Sequence, residues 1–283
     1  MMRQELERAP SLGPLYRAAA LRRSTAKEPR LPDRELILRG VRADREHLAA
    51  YDRVCGFRLG DTLPATYPHV LAFPLALRLM TAREFPFPLL GLVHVENEIR
   101  VHRPLKTTDA FDLAVRAEAL RPHDRGTQLD VVATATIDDE PIWSGRSTYL
   151  RRTVAAGRST ANPNEPVPAR SVWRIPKRTG PDYAAVSGDR NPIHTSRLLA
   201  RAFGFPRTIA HGMWTKARCL AALEGRLPDA YTVRVSFKLP ILLPATVGFD
   251  AKADGDEWVI SVWDVRTGKP HLSGTAYGTG ATP

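Results

Sequence analysis

The stretch Tyr183-Ala184-Ala185-Val186-Ser187-Gly188-Asp189-Arg190-Asn191-Pro192-Ile193-His194 has an echo earlier in the same chain, Tyr51-Asp52-Arg53-Val54-Cys55-Gly56-Phe57. Two more pairs follow in the same order. Val101-His102-Arg103-Pro104-Leu105 parallels Phe237-Lys238-Leu239-Pro240-Ile241, and Pro141-Ile142-Trp143-Ser144-Gly145 parallels Pro270-His271-Leu272-Ser273-Gly274. Each pair alone is weak. Three in register, at separations that drift only as loop lengths drift, indicate a duplicated unit.

Each copy reads alike. The Tyr/Gly segment comes first, then a largely apolar helix, residues 70–81 in one copy and 212–223 in the other. Pro74 falls inside the first helix and is expected to shorten or bend it. Strands follow. His94, Glu96, Glu98, Arg100 and His102 alternate with Val93, Val95, Asn97, Ile99 and Val101, the period-two pattern of a half-buried strand. Residues 232–239 alternate likewise, and strands are expected over 113–120, 128–137, 142–150, 245–253, 258–265 and 271–277. One long helix with several antiparallel strands, twice over, is an α+β layer arrangement. Between the copies, residues 155–169 carry Gly157, Asn162, Pro163, Pro166 and Pro168, a linker by composition. The expected division is therefore 1–154, linker 155–169, and 170–283, with the sheet edges of the two halves joined to each other.

The second copy alone carries chemistry. Asp189 and His194 stand five residues apart, and Gly188 and Pro192 keep the stretch between them out of regular helix. Aligned on the tyrosines, the first copy places Phe57 at Asp189, Leu59 at Asn191 and Thr62 at His194. It keeps the scaffold and lacks the acid, the amide and the imidazole. Further on, His211-Gly212-Met213 opens the second apolar helix. A helix N-terminus offers unpaired N–H groups and partial positive charge, and glycine allows close approach, so Gly212 is the candidate oxyanion donor.

With these motifs in place, the last hundred or so residues resemble the MaoC-like, or hydratase 2, family of (R)-specific enoyl-CoA hydratases and 3-hydroxyacyl-thioester dehydratases. The resemblance implies a double hot-dog fold, two curved sheets each wrapped on a central helix. It implies that Asp189 and His194 together orient a water and move protons in reversible hydration of a trans-2-enoyl thioester. Asn191 and Gly188 would support the loop by hydrogen bonding and by backbone shape, and the Gly212 N–H would hold the thioester oxygen. The expected substrate is an acyl-CoA or acyl-carrier-protein thioester. The competing readings are a hot-dog thioesterase and a noncatalytic acyl-thioester binding module.

Composition narrows the rest. The chain has 283 residues, 43% of them hydrophobic, enough to build real cores. Two cysteines, Cys55 and Cys219, make no disulfide framework and read as free thiols of a reducing compartment. Residues 1–30 are Arg-rich without a signal-peptide core, and Glu5 and Glu7 weigh against a transit segment, so the expected location is cytoplasmic. No run approaches the roughly 18 apolar residues of a membrane span. The net charge of +11 suits an anionic partner such as coenzyme A, but the basic residues are dispersed and lack interleaved aromatics, so no nucleic-acid surface is expected. No phosphate-cradling glycine loop appears, and no cofactor is expected. No zinc-spaced cluster appears either. His94, Glu96, Glu98 and His102 are read as a solvated strand face, because alternate strand residues lie roughly 6–7 Å apart and cannot easily share one ion, so no metal is expected. Paired halves permit a monomer or a homodimer.

Overall fold

The computed structural model describes residues 1–22, 28–153 and 169–278. The expected linker lies outside these residues except for Ala169. In chain order the elements are β1 (Met2–Leu6), α1 (Leu12–Leu21), β2 (Arg34–Arg42), α2 (Arg45–Cys55), α3 (Tyr67–Thr81), β3 (Leu92–Val101), β4 (Ala110–His123), β5 (Gly126–Ile137), β6 (Glu140–Arg152) and β7 (Ser171–Ile175), then α4 (Thr179–Ser187), α5 (Pro192–Thr195), α6 (Arg197–Ala202), α7 (Gly212–Ala221), β8 (Tyr231–Phe237), β9 (Ala245–Asp254), β10 (Glu257–Asp264) and β11 (Pro270–Gly278).

The eleven strands form one sheet in the order β1-β2-β4-β5-β6-β3-β8-β11-β10-β9-β7. Its centre is the antiparallel seam between β3 and β8, registered from Glu96↔Ser236 to Val101↔Tyr231. The expected joining of edges thus occurs within one chain. It gives each half's otherwise open edge a partner and satisfies its ladder groups. Strand order reads the same outward from the seam on both sides: β3-β6-β5-β4-β2 mirrors β8-β11-β10-β9-β7, which is the internal two-fold expected from the repeats. The helices α3 and α7 carry eight and seven buried residues, and the core runs from Leu36 and Tyr51 through Ile99, Trp143, Val233 and Val262.

Three sequence expectations need correction. Pro74 does not break α3, which runs continuously for 15 residues from Tyr67. Its missing N–H forfeits one helical hydrogen bond, but Val70, Ala72, Leu75, Leu77, Leu79 and Met80 are buried, and that packing outweighs the local loss. Second, α7 ends at Ala221, two residues early. Third, the polar face of β3 is not uniform. The β3–β6 register shifts between His94 and Glu96, so Val95 is a bulge. Glu96 is exposed and Glu98 pairs with Arg234 across the seam, whereas the His94 ring stacks on Tyr149 at 4.8 Å and meets Phe237 edge-on at 5.0 Å.

The seam also contains a buried amine. Lys216, on the inner side of α7, is fully buried. Its Nζ donates to Asn97 Oδ1 at 2.6 Å, to the Asn97 carbonyl at 3.1 Å and to the Val233 carbonyl at 3.1 Å. Asn97 is on β3 and Val233 on β8, so one side chain ties the two halves.

Candidate active site

The stretch from Gly188 to His194 is shaped by two helix ends. Gly188 caps α4 in the left-handed region, φ 75°, and a Cβ there would come within 2.6 Å of the Leu12 side chain. The chain then turns through Asp189 and Asn191 into the one-turn helix α5. Asn191 Oδ1 accepts from the Ile193 N–H at 3.3 Å, an N-cap bond. Asp189 Oδ1 accepts from the Asn191 N–H at 3.1 Å, which fixes the carboxylate and leaves Oδ2 clear of that bond. Gly180 lets α4 lie against the same loop; a Cβ there would sit 2.2 Å from the His194 carbonyl.

His194 is buried, 7% exposed, and its Nδ1 lies 2.8 Å from the Ile209 carbonyl. A carbonyl only accepts, so Nδ1 carries the proton and Nε2 presents a lone pair. The Ile209 N–H bonds the Ile193 carbonyl at 3.1 Å, which holds both ends of that contact. His211, to which the sequence pattern assigned no role, sits directly against the His194 ring. Its ring stacks on His194 with centroids 3.6 Å apart, and its Nε2 donates to the Asp189 carbonyl at 2.9 Å. Tyr183 backs the His211 ring at 4.9 Å, and His211 Nδ1 is buried without a hydrogen-bond partner. The structure therefore brings Asp189, His194, Asn191, Gly188 and Gly212 to one place, with His211 touching both Asp189 and His194.

Burial pushes the His194 pKa below the ordinary histidine value, against the pull of the Asp189 charge and the Ile209 carbonyl. Burial lowers His211 further, with His194 adding to it. Both rings are neutral at neutral pH, the state a general base needs.

Gly212 is the first residue of α7. The His211 carbonyl already accepts the first helical bond from Thr215, at 3.1 Å, so the Gly212 N–H has no partner within the helix. A Cβ at 212 would meet the Phe237 ring at 2.9 Å, so packing alone also demands glycine here.

One carboxylate oxygen and one nitrogen from each of His194 and His211 lie within 4.8 Å of one another. The two rings are stacked at an interplanar angle of 24°. His194 Nδ1 and His211 Nε2 each face a backbone carbonyl, so each ring has one further nitrogen to offer.

Sequence reasoning missed two imidazoles from the other half. His69, on α3, and His94, on β3, face each other at 6.4 Å, and both sense the charge of Lys216. Burial is the largest cause that lowers His69 to about 4 and His94 to about 3. The unfolded chain protonates both near pH 6.5, before the folded chain does, so stability falls as pH drops from about 6.5 through about 4. A tenfold change in proton affinity corresponds to about 1.4 kcal/mol, so His69 alone costs up to about 3 kcal/mol across that window. Urea denaturation at pH 7 and pH 4.5 should show the loss, and His69→Leu should flatten it. An unchanged pH slope in the variant would contradict the assignment.

In the first half the aligned positions hold Phe57 and Thr62 in place of the acid and the imidazole. Phe57 and Thr62 line a cavity of about 240 Å³ with Leu220, Leu223 and Tyr231, and Thr62 Oγ1 accepts from Lys106 at 2.8 Å. Arg103, Glu224 and Asp229 line the same cavity.

The MaoC like domain matches residues 159–275. The chain is 42% identical over 255 residues to 3-hydroxyacyl-thioester dehydratase X of Mycobacterium tuberculosis, covering 88% of this chain and 90% of that protein. The crystal structure of HtdX from the same organism superposes with a TM-score of 0.79 at 39% identity, over 87% of this chain and all of that one. A second M. tuberculosis protein, described as a double hotdog fold, matches with a TM-score of 0.52 at 13% identity, over 85% of this chain and 95% of that one. The last likeness concerns the fold alone.

Proposed function

The chain belongs to the MaoC-like dehydratase family, hydro-lyases of acyl thioesters, and from that membership we propose that it hydrates trans-2-enoyl thioesters to (R)-3-hydroxyacyl thioesters and runs the dehydration in reverse. Residues 170–283 form the catalytic half and 1–154 the noncatalytic half, joined by 155–169. The observation that carries the reading is the cluster of His194, His211 and the half-buried Asp189 carboxylate, with ligand atoms within 4.8 Å of one another, His194 Nδ1 committed to the Ile209 carbonyl, and the start of α7 following directly at Gly212.

Water is a poor nucleophile and the β-carbon only mildly electrophilic, so the site must act on both. Asp189 Oδ2 and His194 Nε2 hold the water. As its oxygen bonds to Cβ, His194 Nε2 takes one proton, and the π-electron pair shifts to Cα and the thioester oxygen. The Gly212 N–H stabilises that oxygen. The imidazolium, steadied by Asp189, then returns the proton to Cα. One water is consumed and its two parts end on adjacent carbons, with no redox change. The Ile209 carbonyl keeps the His194 tautomer that this cycle needs.

The thioester handle is coenzyme A or an acyl carrier protein, for which the net charge of +11 is suited. The expected setting is the cytoplasm, with the chain acting as a monomer of paired halves or as a homodimer. No helix among the described residues is long and apolar enough to cross a membrane. Mixing the chain with trans-2-octenoyl-CoA should remove the conjugated enoyl absorbance. Unchanged absorbance would count against hydration and favour a noncatalytic binding module.

A further inference from the structure

Helix α1 lies in the Arg-rich N-terminal segment, outside the region matched by the family domain. It nevertheless touches the catalytic turn. The Tyr16 hydroxyl donates to the Gly188 carbonyl at 2.9 Å and accepts from the Arg190 N–H at 2.8 Å. These are the peptide groups on either side of Asp189. The same helix places Leu12 against Gly188, in the space a Cβ there would need. At its other end, Arg22 donates to the carbonyls of Met80, at 3.3 Å, and Phe85, where α3 gives way to its following loop. The helix therefore spans from the noncatalytic half to the turn that carries the acid.

We propose that Tyr16 is a positioning residue for Asp189, and that α1 is a splint holding the catalytic turn from the opposite half of the chain. The Arg190 N–H also reaches back to the Gly188 carbonyl at 3.0 Å, closing a tight turn around Asp189, and the Tyr16 phenol engages both of these groups at once from outside. The bridging arrangement requires the neutral phenol. Burial and the neighbouring Asp189 charge push the Tyr16 pKa upward, which keeps the proton in place. Phenylalanine would fill the same volume and break both bonds. Asp189 would keep its bonds to the Asn191 N–H, the Ser187 hydroxyl and His211 Nε2, but the peptides on either side of it would lose the brace supplied by α1. A small misplacement of a catalytic group reduces turnover more than binding.

The proposal rests on the hydratase reading, and the experiment separates the two. Tyr16→Phe is assayed on trans-2-octenoyl-CoA beside the unaltered chain and Asp189→Asn, with melting temperature and hydrogen exchange of residues 186–194 measured on each. The expected result is a kcat lowered about ten-fold with KM within about two-fold, an unchanged melting temperature, and about ten-fold faster exchange at Arg190. A kcat within two-fold of the unaltered chain overturns the proposal. So does a loss of kcat matched by a lower melting temperature, or unaltered exchange at Arg190. No turnover by the unaltered chain would fault the hydratase reading instead, and the exchange result would still decide whether Tyr16 holds the turn.

Discussion

His194→Gln should lower kcat for enoyl-thioester hydration by about 10²–10⁴, and Asp189→Asn by a similar factor, since general acid–base groups contribute on that scale. The argument for His194 is geometric. Its Nδ1 proton is committed to the Ile209 carbonyl, so Nε2 is the basic atom, and burial holds the ring neutral below the ordinary histidine range. Glutamine preserves size and polarity but cannot accept a proton at working pH. Asparagine at 189 keeps the acceptor for the Asn191 N–H and removes the charge that steadies the imidazolium. The unaltered enzyme should retain activity below pH 6.5 and lose it only as His194 itself protonates. Both variants should fold, which near-unchanged circular dichroism and melting would establish. A folded variant with near-normal turnover removes that residue from the chemistry.

Lys216→Met should destabilise the chain by about 2–3 kcal/mol, because it strands buried acceptors whose partner has gone. Met matches the side-chain length, so the cavity left is small. The opposing effect is the relief of burying an amine. That relief is limited, because three acceptors at 2.6–3.1 Å compensate the burial that drives the Lys216 pKa well below its ordinary value. The lost contacts to Asn97 and Val233 decide the sign. For a chain of this size the fall in melting temperature is about 3–5 °C. Asn97→Ala removes the same bond from the other side, so the two losses should not add. Additive losses, or a Lys216→Met chain as stable as the original, would mean the halves are held by the strand seam alone.

Much of this was legible in the sequence. The three repeated motifs give the duplication directly, and strand alternation gives eight of the strands to within a few residues of their observed ends. The seam between β3 and β8 follows from the need to cover two open edges. Asp189, His194, Asn191, Gly188 and Gly212 converge because they occupy one turn and the helix start beside it.

What the sequence hid is tertiary. The bulge at Val95 moves His94 out of the polar alternation, and no local pattern announces a bulge made by an ordinary valine. Pro74 carries a strong helix-breaking signal that core packing overrides. Lys216 sits in an apolar helix as a residue usually found at the surface, and its partners are supplied by strands on both sides of the seam. Tyr16 is separated from Arg190 by most of the chain, so only folding brings them together. A weak local signal did exist for α1: Ser11 stands at the N-cap position, and Leu12, Leu15 and Ala19 recur at helical spacing.

The central claim is that one Asp189–His194 site per chain adds water stereospecifically and leaves the thioester intact. The direct measurement is to incubate trans-2-octenoyl-CoA with the unaltered chain and with the Asp189→Asn/His194→Gln double variant, then resolve the products on a chiral column while titrating free thiol. The predicted result is (R)-3-hydroxyoctanoyl-CoA from the unaltered chain, none from the double variant, and no thiol released by either. Release of free coenzyme A in place of hydration, or the same hydroxyacyl product from the double variant, would contradict it.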